Sequence, residues 1–176
     1  MARSRAAGAR CILEVYMKIV RTAGLAMVAW GLLAGRAYAD ITGFIGTNTT
    51  PSNRLVRGVA AGGGLLIIGF EFEYSDTSDD PAAHAPSLTT GMGNVLLQTP
   101  TAIFGFQPYF TTGGGLYKET LGTRDDTSFG LNTGGGVKVS LAGPLRVRVD
   151  YRVFKLGSGA LSSPAHRVYV GINLKL

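Results

Sequence analysis

The sequence predicts an all-β fold: an eight-stranded antiparallel up-and-down β-barrel preceded by a signal peptide. Three observations predict it. Beyond Asp40, apolar and polar residues alternate with period two in one segment after another, the pattern that sends successive side chains to opposite faces of a strand. Glycine triplets at Gly62–Gly64, Gly113–Gly115 and Gly134–Gly136 interrupt the stretches that are long enough for helices, and each glycine costs a helix about 1 kcal/mol against alanine. The connections are by turns long and polar, then short or apolar, as when strands run up and down between two unlike ends.

The leader comes first. From Met17 the chain carries Lys18 and Arg21, then an uncharged run from Thr22 to Gly35, then Ala37-Tyr38-Ala39. A basic start, an apolar middle and a small-x-small end are the three parts of a secretory signal peptide. The apolar run is shorter than the ~20 residues of a membrane-spanning helix. Cleavage is expected between Ala39 and Asp40, with translation starting at Met17 and residues 1–16 as an upstream extension. The single cysteine, Cys11, lies in that extension, so residues 40–176 offer neither a disulfide nor a thiolate zinc site. The formal charge of +6 also belongs mostly to the leader. Residues 1–39 hold six of the seventeen bases and one of the eleven acids, leaving eleven bases and ten acids, a charge of +1, in residues 40–176. Nucleic-acid binding loses its electrostatic footprint, and no nucleic-acid partner is expected.

The strands follow in order, at about 41–48, 54–64, 67–76, 88–98, 106–118, 128–140, 145–155 and 166–176. The third alternates Ile68, Phe70, Phe72 and Tyr74 with Gly69, Glu71, Glu73 and Ser75. The sixth alternates Phe129, Leu131, Val137 and Val139 with Asn132, Gly136, Lys138 and Ser140. The seventh sets Leu145, Val147, Val149, Tyr151 and Val153 against Arg146, Arg148, Asp150 and Arg152. The last sets Val168, Val170, Ile172, Leu174 and Leu176 against Arg167, Tyr169, Gly171, Asn173 and Lys175. The first, second and fourth alternate less cleanly. Asn48–Asn53, Asp76–Ser87, Glu119–Thr127 and Leu156–Ala165 read as the longer polar loops.

The face that meets lipid decides the class. A soluble barrel buries its apolar face; a transmembrane barrel turns it outward. Strands of about ten residues cross a tilted bilayer path, the apolar faces are unbroken and end in aromatics, and the chain is poor in the Lys and Glu that coat a soluble surface. All three favour a transmembrane barrel, since only helices and closed barrels pair every backbone group inside hydrocarbon.

The chain ends Gly171-Ile172-Asn173-Leu174-Lys175-Leu176, a glycine with hydrophobic residues at the third and fifth positions after it. With the eight-strand pattern, this resembles the small eight-stranded outer-membrane barrels, such as the OmpA membrane domain and OmpX, within the broader outer-membrane β-barrel domain family. Residues 40–176 carry the resemblance. In that family the final strand is the assembly signal, assigned here to Gly171, Leu174 and Leu176; the chain departs from it by ending on Leu rather than Phe. The resemblance implies an integral protein of the cell outer membrane of a Gram-negative-type envelope, a monomer inserted by the barrel-assembly machinery among outer-membrane lipid and lipopolysaccharide. It implies a structural or surface-interaction role without enzymatic activity. The alternative is a narrow passage or a small-molecule-binding barrel, including a soluble periplasmic lipocalin-like one.

In the family the polar face lines the lumen, where acids and bases form a plug. Strands three and seven lie opposite each other in a ring of eight. That sets Glu71 and Glu73 against Arg146, Arg148 and Arg152, with Asp150 between, and Arg148 and Arg152 are expected to pair with the two glutamates while Asp150 braces them. Buried charges are tolerable only when paired. Elsewhere no phosphate loop, metalloprotease or nucleophile-elbow motif occurs. Asp76, Asp79, Asp80, Asp125 and Asp126 read as solvated loop acids, since their spacing fits no calcium loop. His84 reads as a loop residue. His166, near Ser162 and Ser163, lacks the His-x-Ser-Asn run of the barrel-type lipid A deacylases. No catalytic residue, metal site or cofactor is expected.

Overall fold

The computed structural model describes residues 38–176. Residues 1–37 of the segment read as a leader, with Met17 and Cys11, lie outside the described residues. Tyr38 and Ala39, on the leader side of the expected cleavage point, continue the first strand and pair with Gly64 and Gly63.

Eight strands form: β1 (Tyr38–Asn48), β2 (Arg54–Leu65), β3 (Ile68–Thr77), β4 (Ser87–Gln98), β5 (Phe106–Leu121), β6 (Arg124–Ala142), β7 (Leu145–Lys155) and β8 (Ala165–Lys175). Each pairs antiparallel with its neighbours in sequence, and β8 returns to β1 through pairs such as Gly43 with Ile172, so the sheet closes into a barrel. Closure leaves no strand edge unpaired, the condition for backbone to cross hydrocarbon.

Side chains are inverted relative to a soluble protein. Along β3, Phe70 and Phe72 are 64% and 61% exposed on the outer wall, whereas Glu71 and Glu73 between them are 4% and 0% exposed. The same alternation puts Val149 and Tyr151 outside and Arg148, Asp150 and Arg152 inside on β7. Water does not tolerate such a contiguous apolar outer wall, and lipid does. The barrel is therefore transmembrane.

The two ends differ as the sequence suggested, with one exception. One end carries the tight turns at 66–67 and 143–144 and the connection 99–105; the other carries the loops 49–53, 78–86 and 156–164. The exception is 119–127, expected to be a long polar loop. β5 and β6 instead run on through Glu119–Asp126, Thr120–Asp125 and Leu121–Arg124 pairs to a two-residue turn at 122–123. Gly122 takes φ +61°, a left-handed conformation that glycine adopts without penalty. Polarity there reflects strands that have left the apolar belt, still paired and tied by a half-exposed Lys118–Asp125 ion pair at 3.0 Å.

Two small apolar clusters lie inside. Leu88, Met92, Tyr117, Phe154, Leu156 and Ala165 fill the lumen toward the long-loop end. Phe44, Val56 and Tyr169 form the second, with the Phe44 and Tyr169 rings stacked at 4.1 Å between centroids.

Candidate functional site

The middle of the lumen holds a closed network of charge. β3 supplies Glu71 and Glu73; β7, opposite it in the ring, supplies Arg148, Asp150 and Arg152 at every second residue. Arg148 grips Glu71 with both terminal nitrogens, Nη1 to Oε2 and Nη2 to Oε1, the latter at 3.2 Å. Arg152 donates from Nη2 to the same Glu71 Oε1 at 2.8 Å and from Nε to Asp150 Oδ1 at 3.0 Å. Its Nη1 lies 3.0 Å from Glu73 Oε2, a charge contact whose geometry falls short of a hydrogen bond. Asp150 braces both arginines, with Arg148 Nη2 at 3.2 Å from Oδ2.

The structure adds members that the sequence reading did not place in the cluster. Arg167 of β8 donates to Glu73 and, at 2.7 Å, to Ser75 Oγ. Its guanidinium lies 4.5 Å from the centre of the Phe154 ring, beneath the apolar cluster. Tyr109 of β5 donates its hydroxyl to Asp150 and accepts from Arg148 Nε at 2.7 Å. The outcome is three guanidinium groups against three carboxylates, all buried. Guanidinium suits the task because its planar fork meets several oxygens at fixed angles. The alternation of Arg167 and Tyr169 with Val168 and Val170 already marked both as inward-facing. Nothing in the sequence said that Arg167, on the strand beside β7, would reach across to β3.

Arg146 needs correcting. Grouped with the cluster by alternation, it stands apart from it, half-buried, donating from Nη1 to Gln107 Oε1 at 2.9 Å. It lies two residues nearer the short-turn end than Arg148, level with Ser140 on β6 rather than with the glycines that flank the network. Those glycines make the network possible. A Cβ at Gly136 would fall 2.2 Å from Val149 O and 2.5 Å from Tyr109 Oη, so the tyrosine hydroxyl occupies the space a side chain would need.

Below the network, at the short-turn end, the lumen widens into a cavity of about 320 Å³ whose lining includes Asp40, Lys138 and Arg146. Asp40 pairs with Lys138. At the other end Arg54 donates to Pro86 O and, at 2.7 Å, to Thr50 O, tying two loops together, while the Glu119 carboxylate accepts from Leu161 N at 2.8 Å and anchors a third.

The remaining sequence-derived positions fall elsewhere. Gly171 faces inward against Phe44, and Leu174 and Leu176 are exposed on the outer wall and its edge. His84 follows a short 3₁₀ turn, Pro81–Ala83, in the 78–86 loop. His166 bonds the Tyr151 hydroxyl at 2.7 Å, and Ser163 is held by the backbone of Leu156. Among the described residues no three His, Cys, Asp or Glu side chains converge as metal ligands.

The barrel superposes on the N-terminal β-barrel domain of Pseudomonas aeruginosa OprF with a TM-score of 0.62, covering 81% of this chain and 99% of that domain at 13% identity. It superposes on Neisserial surface protein A with a TM-score of 0.56, covering 80% of this chain and 94% of that one at 15% identity. This is the fold of the small outer-membrane barrels. No protein-family model and no curated protein matches the sequence. At 13% and 15% identity the likeness is one of fold, the closed ring of eight antiparallel strands.

Proposed function

We propose that the protein is a monomeric integral component of a Gram-negative-type outer membrane with a structural or surface-interaction role and no enzymatic activity. The observation that carries this reading is the filled lumen. Arg148, Arg152, Glu73 and Asp150 are at most 1% exposed, and an apolar cluster lies above them, so the barrel is a rigid post rather than a conduit. An eight-strand ring is just wide enough for its own side chains. What such a post presents is its long-loop end, and the bonds from Arg54 and Glu119 hold those loops in fixed positions. The Tyr151–His166 bond on the outer side of the wall and the backbone-held Ser163 favour a non-catalytic rim. Lipid and lipopolysaccharide would surround the outer wall, and the barrel-assembly machinery would insert the chain through its final strand.

Surface proteolysis of intact cells tests the reading. Cuts confined to 78–86 and 156–164, with the strands protected, are expected. Cleavage of the 99–105 connection from outside, or recovery of the protein in the soluble periplasmic fraction, would overturn it. In planar bilayers the protein should give no large, stable conductance steps.

A further inference from the structure

The lumen is closed toward the long loops and open toward the short turns, and the open end is unlike the rest. Its cavity of about 320 Å³ exists because of what β2 and β3 present there. One step deeper β3 offers Glu71; at the level of the cavity the inward positions are Gly64 and Gly69, paired across β2 and β3, which leave the space empty. Across from them stand Lys138 and Arg146, with the amides of Gln98 and Gln107 beside them. The volume lies at the low end of the roughly 300–1,000 Å³ range of small-molecule sites.

The charges of this chamber do not cancel as those of the network do. Glu71 reaches its floor, but both its oxygens are held by Arg148 and Arg152. Asp40 is held by Lys138. Arg146 has no ion pair: a neutral amide, Gln107, takes one of its donors, whereas a guanidinium has five. A half-buried guanidinium without a carboxylate, in the wall of a low-dielectric mouth, attracts anions.

We infer that this chamber binds a small organic anion, presenting a carboxylate or phosphate oxyanion to Arg146 and hydroxyl groups to Gln98, Gln107 and Ser140. The ligand enters and leaves by the short-turn end, because the charge network and the apolar cluster fill the lumen beyond. Arg146 supplies charge and a two-toothed grip; the glycine wall supplies room.

The test uses the protein extracted from the envelope in a nonionic detergent and two probes of equal chain length, gluconate and sorbitol, followed by calorimetric titration. Gluconate should bind at least about tenfold tighter than sorbitol, the effect expected of one charge-assisted contact. Arg146→Gln should weaken gluconate by a similar factor. Gly69→Leu should do the same while leaving every charge in place: a Cβ there meets nothing closer than 3.5 Å, so the chain accommodates it and the side chain fills the chamber. Lys118→Gln, at the far end of the barrel, should change nothing. Heat-dependent gel mobility establishes that each variant is folded before titration. Equal binding of the two probes, no binding of gluconate at millimolar concentration, or undiminished binding by both folded lumen variants overturns the assignment.

Discussion

Arg148 and Arg146 stand two residues apart on one face of one strand, yet they occupy different kinds of space. Arg148 is fully buried and meets Glu71, Asp150 and Tyr109. Arg146 is half-buried beside a cavity and meets one neutral amide. The strand that carries them is regular through both positions; what changes is the opposite wall, from glutamate to glycine. Alternation therefore fixes which way a side chain faces, and the residues across the lumen fix what that direction means energetically. The first region is a completed set of ion pairs. The second is an incomplete one.

The sharpest way to break this contrast is to remove a central member of the network. Arg152→Ala leaves three buried carboxylates, Glu71, Glu73 and Asp150, to two guanidinium groups, and leaving a buried charge uncompensated costs ~3–5 kcal/mol. Urea unfolding in lipid vesicles should register that loss. Glu71→Ala and Arg148→Ala should each be costly alone, yet the double variant should be less damaging than their sum, with a coupling above ~1 kcal/mol; strict additivity would mean the two do not interact. Tyr109→Phe deletes a hydroxyl that serves both Asp150 and Arg148 and should cost ~1–3 kcal/mol by the same assay. At the small end, Arg146→Gln should shift unfolding by no more than ~0.5 kcal/mol, as for a residue outside any network. A loss comparable to that of Arg152→Ala would abolish the distinction between the two regions.

What was legible in the sequence follows the same line. β3, β7 and β8 alternate without interruption, so the inward set Glu71, Glu73, Arg148, Asp150 and Arg152 could be read directly, and ring arithmetic put β3 opposite β7. Phe44 could not be read: it points inward from a stretch where Gly43 and Gly46 hide the period, and its stack on Tyr169 depends on β1 closing against β8. Arg167 was visible as inward but not as a partner of Glu73, because reach across a lumen depends on side-chain length and strand stagger rather than on period. The 119–127 segment misled for another reason. Charged residues signal a loop only where the strand would otherwise be buried or in lipid; β5 and β6 continue pairing in water, where Lys118, Asp125 and Arg124 cost nothing.

The network also bears on how the barrel comes into being. Arg148 and Arg152 lie 77 and 81 residues along the chain from Glu71. No hairpin or local sheet brings them together; only curling the sheet until β3 and β7 oppose each other does. In an open, half-built sheet Asp150 could still meet the arginines of its own strand, but Glu71 and Glu73 would lack their cations and the arginines would carry an uncompensated positive charge, each costly in hydrocarbon. Ring closure and neutralisation therefore coincide, which penalises every partial assembly and makes completion of the barrel a single cooperative event.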